Sequence, residues 1–122
     1  SVGWDLRPEP QGRAALAATA RAVTAWQDDT PVGMARLVGD GMYWLLVDVA
    51  VRPSFQNRGI GRLLVEDLLQ WAQNRLQPGE KVTVHLVSAR GREPFYRGLG
   101  FASIPDAGCG AGMRCTLLGP DR

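Results

Sequence analysis

Metal-site chemistry is nearly absent from this sequence. It holds one histidine, His85, and two cysteines, Cys109 and Cys115, which stand six positions apart with no further Cys or His pair beside them. The ligand spacing of a structural zinc site is missing, so no metal is expected and both thiols are expected to be reduced and structural. No apolar run approaches the roughly 20 residues that a membrane span needs, and the N-terminal residues lack the charged-then-apolar order of a secretory signal. No membrane partner is expected, and a cytoplasmic location is. The net charge is only +2, with the arginines spread along the chain rather than gathered. No nucleic-acid partner recognised through charge is expected on that ground. No internal repeat or low-complexity tract is present, which removes solenoids and fibrous arrays.

What is present is the composition of a globular domain, with 45% hydrophobic and 21% charged residues in a chain of 122. That length suits a single domain, residues 1–122, burying roughly two-thirds of its unfolded surface around one core. Residues 13–21 are alanine-rich and follow Pro10, Gln11 and Gly12, which predicts a helix starting after a turn. Apolar residues alternate over 22–27, Asp28-Asp29-Thr30-Pro31 interrupts them, and 32–38 resumes as a strand, the pattern of a hairpin. After the turn Gly39-Asp40-Gly41, residues 42–51 are nearly continuously apolar, broken only by Asp48, and Pro53 stops them. That pattern predicts a central strand buried on both faces.

From Gly59 to Leu76 the apolar residues Ile60, Leu63, Leu64, Leu68, Leu69 and Trp71 recur at helical spacing with charges between them. Pro78-Gly79 ends this long helix, and Val82, Val84 and Leu86 then alternate with Thr83, His85 and Val87 as a strand. Strand, helix, strand implies a right-handed crossover. Residues 93–99 can form two helical turns capped by Gly100, and residues 101–104 and 113–118 read as two last strands. The fold class is α+β.

One stretch carries chemistry. Gln56, Asn57, Arg58, Gly59, Ile60 and Gly61 lie between the end of the apolar strand and the first turn of the long helix. A helix start leaves about four backbone N–H groups unpaired and carries roughly half a positive charge, so a phosphate placed there is held by main-chain donors. The glycines let the anion approach, and Arg58 and Arg62 add charge around it. A capped amphipathic helix with no ligand is the plainer reading of the same residues. The dinucleotide fingerprint is not matched, because Leu64 stands where its third glycine belongs, and the terminal Gly-Lys-Ser/Thr of a P-loop is missing.

These residues resemble the GNAT superfamily of acetyl-CoA-dependent N-acetyltransferases, whose signature Gln/Arg-x-x-Gly-x-Gly/Ala follows a strand ending in Val-x-Val. Here those are the stretch from Gln56 to Gly61 and Val49-Ala50-Val51. The resemblance extends to Pro94-Phe95-Tyr96-Arg97-Gly98-Leu99-Gly100-Phe101, about 40 residues further along, which is similar to the family's aromatic-Tyr and Gly-Phe segment. It covers about residues 22–118 and implies a central mixed, mostly antiparallel twisted sheet with a splayed pair of parallel strands, flanked by helices. Acetyl-CoA, the co-substrate, is expected in that splay, between the strand ending at Val51 and the one from Val82. The resemblance places pantetheine against the main chain of Val49, Ala50 and Val51, and pyrophosphate on the turn from Gln56 to Arg62.

Tyr96 matches the family's tyrosine near the cofactor sulfur and is the expected general acid for the departing thiolate. Packing against Phe95 and Phe101 is its structural alternative. Asp48, a charge alone in an apolar strand beside the cofactor-pairing residues, is the first candidate base, with a structural alternative in which it pairs with an arginine such as Arg36. His85 is a further candidate base, more simply read as structural. Where the family often has a pantetheine-contacting asparagine, seven residues before the tyrosine, this chain has Ala89, with Ser88 as a possible replacement. Only about 20 residues precede the first strand, so an N-terminal part shortened relative to family members is expected. An open acceptor pocket follows, or one completed by a homodimer partner, for which Trp4, Trp26, Tyr43 and Trp44 offer aromatic surface. The expected function is transfer of acetyl to a primary amine of a small molecule, with a peptide or protein amine as the lesser choice. The alternative is a catalytically silent acyl-CoA-binding regulatory module.

Overall fold

The computed structural model describes residues 9–120, and the chain divides into two compact units between Val87 and Ser88. In the first unit, helix α1, Glu9–Ala17, begins earlier than its alanine content suggests, because Pro10 is accommodated in the first turn, where a missing N–H costs nothing. It also ends earlier. The Thr19 hydroxyl donates to the Ala15 carbonyl and the Ala20 N–H donates to Leu37 O, so Arg21 enters the sheet instead of the helix.

Strands β1, Arg21–Gln27, and β2, Thr30–Gly39, pair antiparallel down to Gln27 opposite Thr30, leaving Asp28-Asp29 as the turn, with Asp28 at φ +52°. Strand β3, Tyr43–Val51, pairs antiparallel with β2, and the short β4, Thr83–His85, pairs parallel with β3. The four strands lie in the order β1-β2-β3-β4. The parallel pair is bridged by helix α2, Ile60–Asn74, as the strand-helix-strand order predicts. A mostly antiparallel mixed sheet flanked by helices is the α+β architecture expected from the sequence.

The core lies between α2 and one face of the sheet. Ala35 and Leu37 of β2, Trp44 and Leu46 of β3, and Leu64, Val65, Leu68 and Ala72 of α2 are all buried. The rings of Trp44 and Trp71 meet edge-on at 5.6 Å, and Arg21 and Arg75 lie over the Trp71 ring. Two sequence expectations fail here. Strand β3 is not buried on both faces, since Tyr43 is 71% exposed and Leu45 is also exposed. An apolar run records two-sided burial only where layers cover both faces. Leu63, counted in the apolar stripe of α2, is 68% exposed, because it stands at the margin of a stripe centred on Leu64 and Leu68.

In the second unit, α3, Glu93–Arg97, carries Pro94 in its first turn and ends at Gly98, with Gly100 at φ +99°. The strands expected at 101–104 and 113–118 do not form. Asp106 and Cys109 instead make an isolated bridge, with the Asp106 carboxylate accepting from the Gly108 N–H, and Met113, Leu117 and Leu118 are exposed. An alternating pattern supplies a face but not a partner strand, and Gly108, Gly110 and Gly112 interrupt the approach to the second run. Cys109 and Cys115 are free thiols, but exposed rather than structural. Among the described residues no helix is long and apolar enough to cross a membrane.

Candidate functional site

The site begins with an opening in the sheet. Strands β3 and β4 pair only where Tyr43, Trp44 and Leu45 face Thr83, Val84 and His85. β4 ends at His85, shorter than the 82–87 expected, while β3 runs on to Val51. From residue 46 onward the ladder on this edge of β3 has no partner in β4, and Val49, Ala50 and Val51 lie in that segment. Backbone N–H and C=O groups on such an edge are a template for a further strand or a strand-like ligand.

The chain then turns sharply into α2. The Arg52 N–H donates to Val32 O at 2.8 Å, Pro53–Phe55 form a 3-10 turn, and the Gln56 side-chain amide donates to Val51 O at 2.9 Å. Asn57 and Gly59 take positive φ, +63° and +82°, a backbone region open to glycine and tolerated by asparagine. Gly59 is the N-cap of α2, with no side chain capping the helix start and no acidic residue in its first turn. The first-turn donors therefore meet no carboxylate of their own, and the positive end of the helix is unneutralised. Arg58 lies over the Phe55 ring at 5.1 Å, and Arg62 pairs with Glu66 at 3.5 Å. The cofactor-binding residues predicted from the sequence, Gln56 to Arg62 with Val49 to Val51, are thus brought into one continuous strand-turn-helix segment of the first unit.

A residue passed over in the sequence makes this approach possible. Gly33 of β2 is buried, and a Cβ there would come within 3.1 Å of Ala50 O and 3.3 Å of both Ile60 Cγ2 and Leu64 Cδ1. The signal was available as a glycine inside an apolar strand pattern.

Asp48 adopts its structural alternative. Arg36 Nη2 and Nε lie 2.7 and 2.8 Å from Asp48 Oδ2, and Asp48 itself sits at φ +55° in a bulge of β3. His85 is exposed on β4 opposite Leu45, while Val84 and Leu86 alternate inward. Of the aromatics expected at a surface, Trp26 and Tyr43 are exposed and Trp44 is buried, and Trp4 lies outside the described residues.

Tyr96 belongs to the second unit. It packs edge-to-face between Phe95, at 5.0 Å, and Phe101, at 5.9 Å, and its carbonyl accepts the Phe101 N–H. Burial raises its phenol above the ordinary value of 10.0, with Arg92 opposing that shift in part. The hydroxyl is therefore a proton donor across the neutral range. Ser88, considered as a replacement for the missing asparagine, donates its hydroxyl to Ala89 O at 2.7 Å.

A splayed parallel strand pair leading into an uncapped glycine turn defines a class, and comparison with known proteins agrees. The family model described as the acetyltransferase (GNAT) family matches residues 3–101. This chain belongs to the GNAT family. Among curated proteins it is 38% identical over 115 residues to serotonin N-acetyltransferase 2, chloroplastic, of Oryza sativa subsp. japonica, covering 87% of this chain and 54% of that one. It is 32% identical over 111 residues to the uncharacterized N-acetyltransferase ycf52 of Pyropia yezoensis, covering 87% and 62%. Among solved structures, a probable acetyltransferase from Staphylococcus aureus superposes with a TM-score of 0.80 at 26% identity, covering 95% of this chain and 85% of that one. A GNAT-family acetyltransferase from Streptococcus pneumoniae gives 0.75 at 28% identity, covering 89% and 80%. The chain spans a little over half to under two-thirds of the length of the curated relatives it matches.

Proposed function

We propose that this domain transfers the acetyl group of acetyl-CoA to a primary amine of a small molecule by direct attack. The observation that carries the proposal is the edge of β3 that β4 leaves open from residue 46, running straight into the uncapped start of α2. Pantetheine lies along that edge as a strand would, and the pyrophosphate sits on the turn from Gln56 to Arg62, where main-chain donors and Arg58 and Arg62 meet its charge. Gly33 supports both by letting the first turn of α2 lie against β2 and β3.

The neutral amine nitrogen attacks the thioester carbonyl, a C–N bond forms, and collapse of the oxyanion breaks the C–S bond. Tyr96 donates its proton to the departing thiolate, a role suited to a phenol that burial keeps protonated. The ammonium proton passes to water, since the Asp48 carboxylate is engaged by Arg36. A small-molecule acceptor is supported by the name of the rice relative, which states serotonin as its substrate.

The test is thiol release from acetyl-CoA in the presence of a panel of small primary amines. Amine-dependent release supports the proposal. Acetyl-CoA binding without release for any amine identifies a silent acyl-CoA-binding module instead, and absence of binding contradicts the whole reading.

A further inference from the structure

The bulge in β3 is held by a charged device that no step above uses. Arg36 pairs with Val47 and Met34 pairs with Ala50, so Asp48 and Val49 together stand opposite Ala35 alone. That extra residue changes the sheet face on which the following side chains lie. Leu46 is paired with Leu37, on the face covered by α2, whereas Ala50 is paired with Met34, on the other face. The bulge thus sets the orientation of Val49, Ala50 and Val51, the segment whose open edge is the proposed pantetheine track.

The bulge depends on Asp48 at φ +55°, a left-handed conformation that L residues rarely adopt and that aspartate tolerates better than most. Of the non-glycine residues described with positive φ, Asp28 and Asn57 lie in turns and Asp48 alone lies within a strand. Its carboxylate is gripped by Arg36, whose side chain is 14% exposed. All three guanidinium nitrogens are occupied. Nε and Nη2 hold Asp48 Oδ2 at 2.8 and 2.7 Å, and Nη1 donates to Thr19 Oγ1 at 2.7 Å and toward Ala15 O at 3.4 Å. Thr19 in turn donates to Ala15 O at 2.9 Å, so the planar fork is anchored on the end of α1 before it reaches the bulge.

We propose that Arg36 is a positioning residue for the cofactor: by fixing the Asp48 carboxylate from the end of α1, it holds Asp48 left-handed and so aims the main chain of residues 49–51 along the open edge. The inference rests on the acetyl-CoA reading above.

The test compares acetyl-CoA affinity, by calorimetric titration, for the parent chain and the variants R36K, R36Q, D48G, D48A and R36Q/D48G. Arg36→Gln is expected to weaken binding about tenfold, with Arg36→Lys intermediate because it keeps the charge but not the fork. Glycine adopts φ +55° without being held, so Asp48→Gly is expected to bind within about twofold of the parent, whereas Asp48→Ala loses affinity as Arg36→Gln does. The deciding variant is R36Q/D48G, in which most of the affinity lost in R36Q returns. A contribution of Arg36 to stability alone would give no such rescue. Unchanged affinity in R36Q, or a double variant as weak as R36Q, overturns the proposal. If R36Q does not fold, the double variant decides against the parent, a loss of about tenfold or more in R36Q/D48G being the contrary result. Should the parent chain itself fail to bind acetyl-CoA, the functional reading falls separately. The hold of Arg36 on the Asp48 backbone is then still read from the Asp48 backbone couplings in nuclear magnetic resonance, which change in R36Q if it exists, while its role toward the cofactor falls with that reading.

Discussion

Gly33 faces Ile60 across the seam between β2 and the first turn of α2, with little room for a side chain: a Cβ at position 33 would stand 3.3 Å from Ile60 Cγ2 and 3.1 Å from Ala50 O. An alanine needs its neighbours to give by tenths of an ångström, but a branched side chain must push the helix start off the sheet. Gly33→Val is expected to destabilise the domain by about 1–3 kcal/mol, the usual range for overpacking a tight core. Thermal unfolding checks the stability, and acetyl-CoA titration on the folded fraction should show weaker binding, because the displaced turn carries the proposed phosphate donors.

Tyr96→Phe keeps the ring packing with Phe95 and Phe101 and removes the proton. Turnover is expected to fall about tenfold to a thousandfold with acetyl-CoA affinity unchanged. The pH dependence has a definite sign. The phenol is raised above 10.0 by burial, so the protonated acid persists through neutral and mildly alkaline pH, and any Tyr96-dependent loss of rate appears only as pH rises past that value. A rate profile that loses an alkaline limb well below pH 10.0 on Tyr96→Phe contradicts the assignment.

At the turn between β2 and β3, Asp40 Oδ1 accepts the N–H groups of Met42 and Tyr43 at 2.9 and 3.0 Å, and these bonds lower its pKa below 3.8. A depressed carboxylate contributes stability that is present above 3.8 and lost as pH falls through the lowered value. Asp40→Asn should therefore lower stability modestly at neutral pH, leave the acid end little changed and so flatten the curve between them, as read by unfolding midpoints across pH.

Much of this site was legible before any coordinates. The spacing of Leu64, Leu68 and their neighbours fixed α2, and that helix placed Gln56 to Gly61 at a strand-to-helix turn, where a phosphate reading has a physical basis. The limits of the reading have equally physical causes. Asp48 stands out as a lone charge in an apolar run, but its left-handed backbone comes from a mismatch in pairing with β2, and pairing register is not a local property. Met113 to Leu118 has the alternation of a strand and no strand beside it. Tyr43 and Leu45 have the hydrophobicity of core residues but stand exposed on the sheet face away from α2. Gly33 was missed because its role is a distance to Ile60 and Ala50, which composition does not carry.

The most direct measurement is calorimetric titration with acetyl-CoA of the parent chain beside Gly61→Glu. A glutamate in the first turn of α2 favours the helix dipole, so the fold is expected to be retained while negative charge enters the proposed pyrophosphate position. Saturable binding by the parent that is abolished in the variant is the predicted result. Absence of binding by the parent, or equal binding by both, contradicts the placement of acetyl-CoA on the β3 edge and the Gln56 to Arg62 turn.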